Sequence, residues 1–409
     1  MRPPLSILLR SPSRMIFATA VPRASVCLAV LCAAIVGPGC RAAGPTETGP
    51  GGPGAHDRDP LVASVSVTPS MATLTVLPAG ETLQLQAVAL DAQKRPLSAR
   101  AVAWASDDPQ RVTVDASGRV TAVRGTRPVR VTATIEGVQG VGLVSAVVYR
   151  NDFTGQAPGP LTRAALDATW NTPGAGAGVA ERRVVIVSGA EGFEGGQSMR
   201  IAFPRGAVGP DAGGALWVLP LGGTYPELYA SYRVQFGPGF RFARGGKLPG
   251  LAGGAGNTGG VRPTGLDGWS GRVMWSAAGR MLQYVYHPDQ PGNFGESMPW
   301  VTAAQKNVVL VPGRWYHVET RVVMNTPGKL DGIVQTWLDG VPVLDRGGLR
   351  FRDTGAWGID AFHMTTFFGG SEPSWAAQRD EVAYFDDFVI STERISVPVA
   401  APPPVGPEA

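Results

Sequence analysis

The sequence predicts an all-β protein built as two sandwiches in series, a small one followed by a larger one of jelly-roll size. Three observations lead there. No long stretch of the 409 residues repeats its apolar positions at the helical period of 3.6. Turn formers are abundant, with 55 glycines and 36 prolines. Between them lie short segments in which apolar and polar residues alternate, the pattern of a strand with one buried face.

The N-terminus reads as an export signal. Arg10, Arg14 and Arg23 precede an apolar run from Ala24 to Val36 that is short for a membrane span. Cys40 follows Gly37-Pro38-Gly39 and is the candidate lipid acceptor, although Gly37 stands where a larger aliphatic residue is usual. The expected location is secreted, or lipid-anchored at the bacterial cell surface or periplasm. A membrane then enters only through that anchor. Cys27, Cys32 and Cys40 are the only cysteines, so the body beyond them has no disulfide, thiol nucleophile or thiolate ligand.

Charge points the same way. The chain carries 36 basic and 32 acidic residues, but Arg2, Arg10, Arg14 and Arg23 lie within residues 1–40. Without those four arginines the basic count is 32, equal to the acidic count, and no general nucleic-acid footprint is left. Residues 41–60 are rich in Gly, Pro, Thr and Asp and read as a flexible linker.

Residues 61–149 alternate in short runs such as Thr82–Val88, Val112–Val114 and Val129–Thr134, separated by turns at Asp107-Asp108-Pro109, Ser117-Gly118 and Glu136-Gly137. That spacing predicts a small sandwich. The phrases Val65-Ser66-Val67-Thr68-Pro69, Val102-Ala103-Trp104-Ala105-Ser106-Asp107-Asp108 and Val114-Asp115-Ala116-Ser117-Gly118-Arg119-Val120 resemble group 2 bacterial Ig-like domains. The resemblance implies an Ig-like sandwich serving as a spacer or adhesion module, with Trp104 in its core.

Residues 150–395 hold longer alternating runs, including Tyr229–Val234, Trp315–Val322, Val334–Gly340 and Tyr384–Ile390. They predict a β-jelly-roll sandwich large enough to bury its own core. Residues 396–409 read as a disordered tail. The most informative part is Trp269–Trp275 followed by Met281–His287. Both halves alternate and Ala278-Gly279 lies between them, which predicts a hairpin. A register symmetric about Ala278 sets Arg272 opposite Tyr284 and Ser270 opposite Tyr286. Trp269, Val273 and Trp275 then form the core face. The other face gathers a cation, a hydroxyl and two phenols, a set that a packed core does not need. Nearby, Gly245–Gly250 is a glycine-rich segment around Lys247 that lets backbone approach a ligand. Arg241, Arg244, Lys247, Arg262 and Arg272 face only one acid, Asp267, in the same stretch. Such local charge suits an anion, or else is a solvated basic face.

Gly245–Gly250, Trp269–Trp275, Tyr284–Gln290, Pro312–Trp315, Asn325–Gly328 and Phe367–Gly370, in that order, resemble polysaccharide lyase family 14. The likeness spans roughly residues 225–392. It implies an enzyme that opens an anionic polysaccharide, alginate or a glucuronate polymer; no cofactor is expected and no metal ligand is assigned. It carries the catalytic lysine to Lys247, the serine and arginine to Ser270 and Arg272, and the tyrosine pair to Tyr284 and Tyr286. Lys247, Arg272, Tyr284 and Tyr286 are the catalytic candidates; Ser270, Arg244 and His287 are the substrate-binding ones.

Those residue types suit β-elimination on a uronate. The C5 proton is weakly acidic until a cation neutralises the adjacent carboxylate, and Arg272 and Lys247 supply cations. A base removes the proton and an acid protonates the leaving O4. A tyrosine fills either role if nearby cations lower its pKa from about 10, and Lys247 is the other candidate base. His317 and His363 sit in apolar strands and read as structural. Asp386-Asp387 read as solvated or capping acids, and Trp300, Trp375 and Phe368 as core. The competing readings are a non-catalytic carbohydrate-binding jelly roll and, less favoured, a glycoside hydrolase, which needs paired carboxylates that the hairpin does not offer.

Overall fold

The computed structural model describes residues 61–174, 176–370, 372–395 and 404–406. The export signal, Cys40, the linker and most of the tail fall outside them. The described chain is β throughout apart from a few short helical turns and one two-turn helix.

The Ig-like part holds two three-stranded sheets. One joins Ser64–Thr68, Gln86–Leu90 and Pro96–Leu97; the other joins Thr82–Gln84, Arg119–Ala122 and Val112–Val114. Leu74, Leu85, Val112, Val120, Val131 and Val144 are buried between its layers, and Trp104 packs against them as expected. The Ser117-Gly118 turn explains its own glycine. Gly118 has φ +85°, and a Cβ there would lie 2.7 Å from the Trp104 ring.

The jelly roll is two sheets closed over one core. The first sheet runs Ala215–Tyr225, Ile359–Phe368, Gly245–Gly254, Gly268–Ser276, Met281–Tyr286 and Glu296–Pro299. The second is centred on Gln197–Phe203, Glu381–Ser391, Glu227–Phe236 and Trp315–Val323. Trp170, Trp217, Trp275, Trp300, Phe203, Phe236 and Phe368 fill the space between them. Burial of that many aromatics is the main favourable term in folding a chain with no cross-link in its body.

Two features differ from the sequence reading. The boundary expected at 149/150 falls inside a continuous strand, Val138–Asn151. Its first part pairs antiparallel with Thr126–Ile135 and parallel with Met71–Leu77. Its end pairs Tyr149, Arg150 and Asn151 with Ile390, Val389 and Phe388. The Ig-like part and the jelly roll therefore share one sheet. Tyr149, fully buried with its ring 5.2 Å from that of Trp170, ties the strand into the larger core. The second feature is the helix Arg163–Trp170, capped by Thr162 and ended by Asn171 at φ 45°. Its buried residues are Leu166 and Trp170, one turn apart, a signal too short to stand out in sequence.

Candidate active site

The hairpin register is the one its symmetry requires: Ser270 opposes Tyr286 and Arg272 opposes Tyr284. Ala278 at φ 60° and Gly279 at φ 75° turn the chain between the strands. Trp269, Val273 and Trp275 enter the core, so the alternate residues lie on the other face. On the far side of Gly268–Ser276, the strand Gly245–Gly254 sets Lys247 opposite Met274 and Gly250 opposite Arg272, with an irregularity between Leu248 and Gly250. Gly250 in turn opposes His363 of Ile359–Phe368. One row across four strands thus reads His363, Gly250, Arg272, Tyr284. The glycine is required: a Cβ on Gly250 would lie 2.1 Å from the Gly271 carbonyl oxygen.

This face is covered rather than solvated. Ser270 Oγ donates to the Asn257 carbonyl at 2.6 Å, and the Gly260 N–H donates to the Tyr286 hydroxyl oxygen at 3.0 Å. Asp267, the only acid of the basic stretch, holds the covering loop. It accepts from Thr264 N at 2.8 Å, Asn257 Nδ2 at 3.0 Å and Gly268 N at 2.9 Å. Committed to the loop in this way, it leaves the site cations uncompensated.

Arg272 is 3% exposed, and among the described residues it makes no ion pair; its Nε is buried without a hydrogen-bond partner. A buried guanidinium without a counter-charge is costly, and proteins tolerate it mainly where function needs it. Burial pulls its pKa below the usual value, while Tyr286 and Tyr284 oppose that shift; an arginine remains charged regardless.

Lys247 is half-buried. Its Nζ lies 2.7 Å from Met274 Sδ and 4.1 Å from the centre of the Tyr284 ring. Burial, and then the Arg272 charge, push its pKa well below the normal range. The ring face favours the ammonium by about 0.5–2 kcal/mol and opposes that shift. Tyr284 and Tyr286 meet edge to face at 5.5 Å. The Tyr284 pKa is raised, first by burial and then by Tyr286, with Arg272 only partly offsetting the rise. The expectation that nearby cations lower the phenol therefore fails at Tyr284, because desolvation of a phenolate exceeds its attraction to Arg272. Such a site presents a neutral phenol that can give a proton and an amine that can take one.

The other sequence candidates are held by partners of their own. Arg244 bonds Ser374 Oγ at 2.8 Å, sits 3.5 Å from Glu372 and stacks on Trp375 at 4.8 Å. Arg262 donates to the Pro288 carbonyl. His287 Nε2 is 2.8 Å from Glu296, which also meets Arg346 at 3.3 Å. Of the basic stretch, Lys247 and Arg272 are the two brought together with the tyrosine pair. His363, read as structural, shares their face. Burial first, then Arg272, lowers its pKa to about 3, so it is a neutral imidazole. Gly256 covers it, a Cβ there falling 2.8 Å from Nε2. Asp386 is a correction: it is 3% exposed, bonded to Ser198, and burial pushes its pKa up to about 7.

A jelly roll whose buried face joins an uncompensated arginine, a deprotonable lysine and two phenols is a polysaccharide lyase, and comparison with known proteins gives that class. Residues 192–388 match the model of polysaccharide lyase 14, while residues 61–144 match the bacterial Ig-like domain (group 2). The solved alginate lyase Aly36B is 27% identical with TM-score 0.51, over 61% of this chain and 98% of that one. A variant of Aly36B in complex with an alginate tetrasaccharide is 26% identical with TM-score 0.51, over the same shares. The marine PL-14 alginate lyase from Aplysia kurodai shares the fold, at 24% identity and TM-score 0.51, over 60% of this chain and 99% of that one. No curated protein matches the chain.

Proposed function

We propose that the chain cleaves a 4-linked uronate polysaccharide, alginate or a glucuronate polymer, by β-elimination. The observation that carries this reading is Arg272: buried, without a counter-charge among the described residues, and opposite Tyr284. A substrate carboxylate supplies the missing charge through a bidentate grip. That grip neutralises the carboxylate and stabilises the enolate that forms as the C5 proton leaves. Lys247, whose pKa burial and the Arg272 charge lower, takes the proton. The electron pair of the C5–H bond becomes the C4–C5 double bond, the C4–O4 bond breaks, and O4 takes a proton from the tyrosine pair. The raised Tyr284 pKa keeps its hydroxyl protonated, so it holds a proton to give. Ser270, bonded to Asn257, fixes the loop over the reacting sugar. The alginate complex of the similar lyase supports an anionic sugar chain as partner.

The test is incubation with alginate, polyglucuronate and a neutral glucan. Ultraviolet absorbance of the unsaturated product should rise with a uronate polymer alone. Flat absorbance with retained polymer binding would make the protein a binding module instead.

We also propose that the enzyme works outside the cytoplasm, tethered through Cys40. The support is the arginine-flanked apolar run and the position of Cys40 after it. Fatty-acid labelling of the expressed protein should be lost in Cys40→Ala; labelling that persists sinks the anchor.

A further inference from the structure

Where the Ig-like part meets the jelly roll, a cavity of about 270 Å³ is lined by Arg111, Arg124, Arg127, Tyr225, Glu227 and Thr392. Three guanidinium groups from the Ig-like part face a single lining carboxylate, and Glu227 is already bound to Arg321 at 2.7 Å. Arg111 pairs with Asp108 at 3.0 Å, and Arg127 approaches Glu393 at 3.6 Å. Arg124 meets no carboxylate among the described residues. It stacks on the Tyr225 ring at 4.6 Å and donates to the Thr224 carbonyl. Two polar atoms of lining residues, Arg124 Nε and Thr392 Oγ1, are buried beside the cavity and have no hydrogen-bond partner among the described residues. A well-packed domain seam does not leave donors of that kind facing an excess of positive charge.

We infer that this seam is a second anion site, taking a carboxylate of the acidic polysaccharide, so that the Ig-like part holds substrate as well as carrying the enzyme. Arg124 and Thr392 supply the unused hydrogen-bonding groups, Arg111 and Arg127 the field, and Tyr225 an apolar wall for a sugar ring. The volume is near the lower end of ordinary ligand sites, about 300–1,000 Å³, and so fits one sugar unit rather than a long segment. A nucleic acid is disfavoured, because the chain outside its first 40 residues is charge-balanced, with 32 basic and 32 acidic residues. The identity of the polymer rests on the proposed lyase function. The shared sheet through Val138–Asn151 fixes the seam within the same body as the active site, so one long chain can engage both.

The test uses the full chain and the exposed Arg127. In Arg127→Gln, KM for long alginate should rise about fivefold, with kcat unchanged and with kcat and KM on a trisaccharide unchanged. Arg127→Lys should restore most of the loss, and Arg124→Gln should show the same split between long and short substrates. Equal KM for the polymer in wild type and both Gln variants overturns the site. So does a loss shared by polymer and trisaccharide, which reports a fold defect. If no uronate polymer is turned over, migration in alginate-containing gels decides separately. Faster migration of the Gln variants than of wild type keeps the seam while the lyase reading falls, and identical migration sinks the seam.

Discussion

Lys247 holds its amine 4.1 Å from the centre of the Tyr284 ring, and burial moves the two pKa values in opposite directions, the amine down and the phenol up. Both shifts favour the neutral forms. A neutral amine beside a neutral phenol is a base beside an acid. This division of labour makes the acid limb of the pH–rate profile belong to Lys247. The rate should rise with pH as the amine loses its proton and level off below the ordinary lysine pKa. Lys247→Arg puts a fixed cation where the base stood, and should lose at least about 10²-fold in kcat. A profile whose acid limb survives in Lys247→Arg assigns the base elsewhere.

Tyr284→Phe removes a proton donor and a buried hydroxyl without changing the ring under Lys247. We expect kcat to fall about 10²–10⁴-fold with KM little changed, since the missing group acts on the leaving oxygen. A substrate with a better leaving group at O4 should recover part of that loss in Tyr284→Phe. Equal sensitivity to the leaving group in wild type and variant would assign the donor role to another residue.

Asp386 gives a test of stability that is independent of catalysis. Its folded pKa, about 7, lies above the ordinary carboxyl value, so between roughly pH 4 and 7 the folded state binds a proton that the unfolded state has lost. Stability from this group is full below about pH 4 and is lost as pH rises toward 7. Three pH units correspond to an upper bound on the order of 4 kcal/mol. Asp386→Asn, which keeps an acceptor for the Asp387 N–H, should therefore raise Tm at pH 8 and have little effect at pH 4. The opposite ordering would mean the acid is stabilised as a carboxylate.

The shared strand predicts where the chain can be cut without loss. A chain starting at Asp152 lacks the three residues that pair with Phe388, Val389 and Ile390, and lacks the buried Tyr149. It should melt well below a chain that retains Val138–Asn151, by an amount on the order of 3–5 kcal/mol for loss of a buried aromatic alone. Equal melting of the two truncated chains would make the strand end a passive linker.

Much of the site is legible in the sequence. The hairpin face can be read because period-two alternation and one short turn determine which residues oppose each other, and Arg272, Tyr284, Ser270 and Tyr286 follow from that alone. Lys247 is marked by its glycine-rich segment and the local charge, but its place beside the hairpin is reached only through the family resemblance, since its pairing with Met274 depends on a strand outside the hairpin. His363 escapes for the same reason with a longer separation: nothing local marks a histidine in an apolar strand as the neighbour of Arg272 across Gly250. The direction of the tyrosine shift is hidden because it depends on depth. Cations adjacent in sequence register lower a phenol only if water still reaches it, and the loop pinned by Asp267 covers this face. The domain boundary reads one strand too sharply, because a strand that passes from one sheet to another carries the same alternation on both sides.

The claim on which the rest depends is that the Arg272 guanidinium is held buried and unpaired for the substrate carboxylate. The direct measurement is the initial rate of unsaturated-product absorbance for wild type and Arg272→Met, with Tm recorded on the same samples. Activity should fall at least about 10²–10³-fold, as for loss of a preorganised charge at the reacting centre, while Tm holds or rises because a buried charge has been removed. Arg272→Met that keeps wild-type turnover, or that loses turnover only by unfolding, would contradict the account.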